Sequence, residues 1–447
     1  MHEQLQHIHT LIANNNLEAI RPAISKLPEV EISEILFELD TPERIVLFRL
    51  LSRDIAHRVF TNLDSRQQNM ILDELSQEET RQLLSSLLPD NRTHLFETLP
   101  GRITQKLLNM LSLEDLEQTR NLLGYPPESV GRLMTPDYVA LRAEWTIAQA
   151  LNHVRTQGQD SETMNVLYIV DDAWKLLDAL PLRRFILPPP DEIIASIMDH
   201  SFVSLEATQD REVAVRMMER YDLEALPVVD AQGILLGVVT FDDVMDVAEE
   251  ETTEDFHKSA AVRPIRGSYR EATIRSLYTR RISWLLVLVF ANIFSGAAIA
   301  QFESLISVNV ALLFFLPLLI ASSGNAGSQA ATLMIRALAM GDVRTKDWGR
   351  LLFKEFAVSA GLGLTMSLAV SVLGTLRGGI LIGLIVALSM MIIVMIGSVI
   401  GTALPFVLNR LKLDPATASA PLITTLSDIS GVVVYFAIAA TLTKHFG

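Results

Sequence analysis

The chain contains no cysteine. Disulfide staples and thiolate metal sites are therefore excluded. Oxygen ligands remain, and these suit hard cations such as Mg2+ and Ca2+. Basic charge is also scarce, with a net charge of −15 over 447 residues. The shortfall is uneven: residues 1–262 hold 22 Lys and Arg against 45 Asp and Glu, a net of −23, whereas residues 263–447 hold 15 against 7, a net of +8. Such an acidic half is not expected to bind nucleic acid; it fits solvation or cation binding. No GxxxxGK[ST], HExxH or GxSxG motif occurs, so an enzyme is not expected. The opening stretch "MHEQLQHIHT" is polar and unlike a signal peptide, so the acidic half is expected to stay on the side where it is made. The length exceeds one ordinary domain.

What is present falls into blocks. In residues 1–128, leucine recurs every twelve positions, at Leu39, Leu51, Leu63, Leu75, Leu87, Leu99 and Leu111. Asp40, Ser52, Asp64, Ser76 and Ser112 follow five of them as helix caps, and Asp40/Glu43, Asp64/Gln67 and Ser76/Glu79 have capping-box spacing. This predicts short helices stacked into an all-α superhelical domain.

Residues 129–192 and 193–250 form an internal repeat. "VGRLMTPDYVAL" at 130–141 is echoed 64 residues later by "IASIMDHSFVSL" at 194–205, each followed by a helical and then a β-rich stretch. The pair resembles two α/β CBS domains. In the second, "GVVTFDD" places Gly237, Thr240 and Asp243 as that family does, and Thr240 with Asp243 stands where it contacts the ribose of adenine nucleotides. The first copy departs, with Asp178, Pro181 and Arg184 in "DALPLRRF". Nucleotide binding is expected to be weak.

A connecting helix over 241–275 places Asp243, Asp246, Glu250 and Glu254 at i, i+3, i+7 and i+11, one acidic face. Like charges so spaced repel by about 0.2–0.5 kcal/mol per pair, and a divalent ion would remove the repulsion.

Residues 280–447 read as a membrane domain with spans near 283–302, 310–334, 354–374, 380–408 and 421–443, each long enough to cross about 30 Å of hydrocarbon. Arg263, Arg266, Arg270, Arg275, Arg280 and Arg281 precede the first span. Eleven basic residues in all lie before it and between the second and third, two more lie between the fourth and fifth, and only Arg377 and Lys444 fall on the other side. The positive-inside rule then puts the acidic half in the cytoplasm and the C-terminus outside. In "PLLIASSGNAGSQAATL" at 317–333, Gly324, Asn325, Gly327, Ser328 and Gln329 interrupt an apolar run. They predict a broken helix that lines water, because lipid cannot satisfy freed backbone groups. Asp428 lies inside the fifth span, where a carboxylate costs at least about 2.5–3.5 kcal/mol and marks a functional site by default. Pro415 and Pro421 are expected to interrupt helix between Asp414 and Asp428.

Together "PLLIASSGNAGSQAATLMIRALAMGDV", "DPATASAPLITTLSDISGVVVYF" and "EEETTEDFHK" resemble the MgtE family of magnesium channels, and the domain order agrees. The resemblance implies a homodimer in the bacterial plasma membrane, with lipid around it and a pore between the two membrane domains. It gives Asp428, Asn325 and Asp414 as pore residues for hydrated Mg2+, lined by Gly324, Gly327 and Ser328. It implies a plug, here about 241–262, closed by cytosolic Mg2+ on Asp90, Asp210, Glu212, Asp222, Asp243, Asp246, Glu251, Glu254 and Asp255. Three positions depart: Ala420 replaces an asparagine found in some members, and Arg58 and His94 stand where acids are expected. A gradient-coupled transporter of Co2+ or Mn2+ is the alternative, since interrupted spans also occur in transporters. A membrane-anchored nucleotide sensor is the third reading.

Overall fold

In this computed structural model the described residues are all but 1–7, 9, 13–16, 25, 26, 100, 160, 266–268, 270, 271 and 447. Arg266 and Arg270 thus lie outside them. The chain divides into two compact units, Met1–Glu249 and Glu250–Gly447.

The first unit opens with short helices of the predicted period. Helices Glu29–Glu38, Thr41–Leu50, Ser65–Glu74, Gln77–Ser86 and Pro89–Thr98 each end on an extended leucine, at Leu39, Leu51, Leu75, Leu87 and Leu99. These leucines, with Leu63 and Leu111, all join one apolar core. The leucine therefore stops one helix and anchors the turn before the next. Asp64 with Gln67 and Ser76 with Glu79 form complete capping boxes; at Asp40 only the side chain's bond to the Glu43 N–H is made.

Next come two three-stranded sheets of identical topology. Strands β1 (Ala140–Arg142), β2 (Val166–Val170) and β3 (Leu176–Pro181) repeat as β4 (Leu205–Glu206), β5 (Ala225–Val229) and β6 (Leu235–Thr240), the first pair parallel and the second antiparallel in each. Helices Ile147–Gln157 and Glu212–Tyr221 follow β1 and β4. Tyr168, Val170 and Leu176 of one half share a core with Val229, Leu235 and Val238 of the other. The repeat is thus fused into one body by apolar burial, the dominant favourable term in folding.

Among the described residues of the second unit, four helices are long and apolar enough to cross a membrane: Ile274–Ala300, Ala311–Ala339, Trp348–Arg410 and Ala420–Phe446. The third has 63 residues and is interrupted at Gly379, whose φ of 80° and ψ of 178° break the helix. Only glycine takes that conformation cheaply. The chain folds back there, because Gly374 approaches Gly383 and Gly363 approaches Met391. Five traverses result, as the sequence predicts. Leu312, Phe315, Leu319, Ile385, Met390, Ile393, Val432 and Tyr435 form their shared core, and the Tyr435 hydroxyl donates to the Leu312 carbonyl at 2.9 Å.

The second and fourth traverses meet through glycine. A Cβ on Gly327 would stand 2.7 Å from the Gly397 carbonyl oxygen, and one on Gly401 would overlap the Gly327 backbone. Backbones cannot give way as side-chain tips do, and overpacking costs about 1–3 kcal/mol or more. Gly401→Ala is therefore expected to lower the thermal unfolding temperature in detergent. Gly296→Ala, where nothing lies within 4 Å of the added carbon, is expected to leave it unchanged or slightly raised, because alanine is the better helix former.

Candidate functional site

The helix Ala311–Ala339 corrects one expectation: it runs unbroken through Ser322, Gly324, Asn325, Gly327, Ser328 and Gln329. Its buried serines are satisfied without freeing backbone. The Ser322 hydroxyl donates to the Leu318 carbonyl at 2.7 Å, and Ser323 donates to Ile393 at 3.0 Å. The glycines serve close packing, with Gly324 against Thr424 and Gly327 against Gly397 and Ile423. The interrupted second span that favoured a coupled transporter is absent. The expected proline break does occur: Pro415–Thr417 is a separate turn, and the last helix begins at Ala420 with Pro421 in its first turn.

Within this frame the residues of the polar seam separate. Gly324 and Gly327 are buried, Ser328 is half-buried beside Thr424 at 3.5 Å, and Asn325 and Gln329 are exposed on the next face. Asp428 is half-buried, and its Oδ1, shielded from solvent, has no hydrogen-bond partner among the described residues. Leu312 meets Tyr435 and Gly324 meets Thr424, so the two helices run antiparallel. Asp428 therefore sits about five residues, or about 7.5 Å along the helix axis, from the level of Asn325. No hydrogen bond joins them among the described residues.

Asp414 has a partner that the sequence reading missed. Its Oδ2 accepts from Lys258 Nζ at 2.6 Å, and its Oδ1 accepts from the Ala416 N–H at 2.8 Å. Lys258 also reaches Glu254 at 2.6 Å. Burial alone would lower the Lys258 pKa, but its pairing with Asp414 and Glu254 outweighs this and holds it charged, above the usual lysine range. Lys258 follows the acidic face and lies 156 residues from Asp414 in sequence, so nothing local signals the contact.

The predicted acidic helix exists as Phe241–Ser259, shorter than the expected 241–275. Its Thr240 neighbour donates to Asp243 Oδ2 at 2.7 Å, tying the two nucleotide-motif residues to each other. Asp243 is held well above the usual carboxylate range by burial first, and then by the negative charge of Asp90. Asp90 is 6% exposed and is raised to about 6, chiefly by burial, with Asp242 and Asp137 adding repulsion. Asp210, Glu212 and Asp222 stand at the two ends of the helix Glu212–Tyr221. Asp210 caps its helix through the Glu212 N–H at 2.8 Å, Glu212 pairs with Arg216 at 2.8 Å, and Asp222 stands at the other end of that ten-residue helix. Arg58 pairs with Glu29 at 2.9 Å and His94 is exposed. In the first repeat half, buried Asp178 accepts from the Asp199 and His200 N–H groups, and Arg184 pairs with Asp199 at 2.7 Å. Structural bonds thus occupy the place of its nucleotide motif. Among the described residues no three acidic or histidine groups converge tightly enough to hold a bare metal ion.

Comparison with known proteins places all three blocks. The family described as MgtE, divalent cation transporter, matches residues 316–438; the MgtE intracellular N domain matches 27–128; and the CBS domain matches 194–250. The chain is 36% identical over 340 residues to the magnesium transporter MgtE of Thermus thermophilus, covering 76% of each chain. It is 31% identical over 438 residues to that of Bacillus subtilis, covering 98% of this chain and 97% of the other. Among solved structures it resembles the cytosolic domain of the Mg2+ channel MgtE in complex with ATP, with a TM-score of 0.53 and 29% identity over 54% of this chain and 99% of that one. The soluble part of a magnesium transporter is similar at a TM-score of 0.53 and 28% identity, over 56% of this chain and 99% of that one.

Proposed function

The chain belongs to the MgtE family of divalent cation transporters, and on that premise we propose that it is a homodimeric, Mg2+-selective channel closed by cytosolic Mg2+. The observation that carries this reading is Asp428, a carboxylate inside an apolar helix whose solvent-shielded Oδ1 has no hydrogen-bond partner among the described residues. Mg2+ dehydrates reluctantly and usually keeps several waters. A path for it must therefore offer acceptors to a hydrated ion, and need not form a tight inner-sphere cage. Two Asp428 side chains across a dimer axis supply a −2 site matched to the ion's charge. Asn325, about 7.5 Å away along the axis and exposed, offers an amide oxygen to the ion's waters. Asp414 lies at the cytoplasmic end, with the acidic half in the cytoplasm, as the basic residues between the spans support. Any nucleotide is bound only weakly, since one nucleotide motif is replaced and the other is bonded to itself.

The connecting helix supplies the gate. Lys258 on it neutralises Asp414, so the end of the path carries a tethered cation in place of Mg2+. This contact belongs to the closed arrangement. An ion pair of this exposure is worth at most about 1 kcal/mol, or about fivefold in an equilibrium. Lys258→Met is accordingly expected to raise Mg2+ flux at low internal Mg2+ by up to about fivefold. Unchanged flux in proteoliposomes would show that the pair does not bias the gate. Neutralising the plug and CBS acids tests the cytosolic Mg2+ control itself.

A further inference from the structure

Residues 263–281, which lead into the first traverse, carry six arginines and one acid, Glu271. Orientation in a membrane needs only positive charge, and lysine supplies it as well as arginine. Lysine does so elsewhere in this unit, at Lys346, Lys354 and Lys412. Between 263 and 281 every basic residue is arginine. Its planar guanidinium matches two oxygens of a phosphate at once, whereas an ammonium acts as a point charge. Orientation alone does not explain that choice.

The helix fixes the depth of these residues. Ile274–Ala300 has no ionisable residue from Ile282 to Ala300, a stretch of about 28 Å at 1.5 Å per residue. That matches the hydrocarbon thickness of about 30 Å, so Arg280 and Arg281 stand at the boundary where lipid phosphates lie. Exposed Tyr278 and half-buried Trp284 flank them, as aromatic side chains do at a membrane interface. Arg263 is brought to the same place by its backbone, whose N–H donates to the Arg280 carbonyl at 3.2 Å. Arg280 Nε donates to the Ser276 hydroxyl at 3.2 Å, which steadies its side chain. Arg263 and Arg281 are exposed and Arg280 is half-buried. Among the described residues none of the three pairs with a carboxylate. Only 6% of the most apolar window of this helix is buried within the chain, so lipid can reach it.

We propose that Arg263, Arg280 and Arg281 together bind the phosphate headgroup of an anionic phospholipid, in the leaflet on the side of the soluble half. Each arginine close to the membrane surface strengthens such binding by about fivefold. The bound headgroup fastens the junction between the connecting helix, which ends at Ser259, and the first traverse. The assignment needs no particular transported ion, so it stands or falls apart from the channel reading.

The test titrates the full-length protein in neutral detergent with phosphatidylglycerol, phosphatidylcholine or inorganic phosphate, and counts bound lipid by native mass spectrometry. Wild type is expected to hold phosphatidylglycerol at concentrations where phosphatidylcholine is not held, and to lose it as salt is raised. The triple variant Arg263→Gln, Arg280→Gln, Arg281→Gln is expected to need about a hundredfold more phosphatidylglycerol. Arg281→Gln alone, a change at an exposed position that leaves packing intact, is expected to need about fivefold more. Arg53→Gln, Arg120→Gln, Arg155→Gln removes the same charge from exposed positions of the first unit and should follow wild type. Half-saturation within about twofold of wild type in both the triple variant and Arg281→Gln overturns the assignment. Equal retention of phosphatidylcholine by wild type does so too, because the headgroup is then not read. Inorganic phosphate that displaces phosphatidylglycerol at equal concentration would show a site for a free anion and remove the lipid.

Discussion

Asp428→Asn is expected to reduce Mg2+ flux by well over tenfold while leaving the protein folded. At about 4.5 Å, the distance of an acceptor from a hydrated ion's centre, a carboxylate attracts a divalent charge by about 2 kcal/mol even at the dielectric constant of water. Both copies would lose this together, so occupancy of the site should fall by more than a factor of ten for each. Asparagine keeps the shape and one acceptor oxygen, so packing against the neighbouring helices survives. Folding should if anything improve, because an intramembrane carboxylate costs at least about 2.5–3.5 kcal/mol. A rise in thermal stability with a loss of flux is the signature of a residue retained for the ion. Near-normal flux in Asp428→Asn would remove the residue from the path.

Neutralising Asp243, Asp246, Glu251 and Asp255 together is expected to leave flux active at internal Mg2+ that silences wild type. Closure by an ion is linkage: the ion shifts the gate only by as much as it binds the closed state better. A shift from one per cent closed to ninety-nine requires a preference of about 10^4-fold, or about 5.5 kcal/mol. No single surface carboxylate supplies that, so the effect must be sought in a set. Glu249→Gln, an exposed acid on the same helix, should leave inhibition intact. Inhibition retained in the quadruple variant would reduce the acidic face to solvated surface.

Much of the architecture was legible because it is written in local repeats. The twelve-residue leucine period carries both the helix stop and the core contact, and the 64-residue echo carries the sheet topology twice. Asp428 was legible for a different reason: a charge inside an apolar run stands out against its cost. The second span was misread because glycine, serine and asparagine are also the residues of close helix packing, and sequence alone does not separate a break from a crossing. The partner of Asp414 was not legible at all. Lys258 acts on Asp414, 156 residues away. Such residues look like ordinary surface charge until the fold supplies their neighbours.

The most direct measurement is Mg2+ flux through the purified protein in liposomes, with no Na+ or H+ gradient, as Mg2+ on the cytoplasmic side is raised. A conducting pore gated by its own ion predicts flux driven by the Mg2+ gradient and membrane potential alone, falling steeply as cytoplasmic Mg2+ increases. Flux that appears only when a Na+ or H+ gradient is imposed would contradict it.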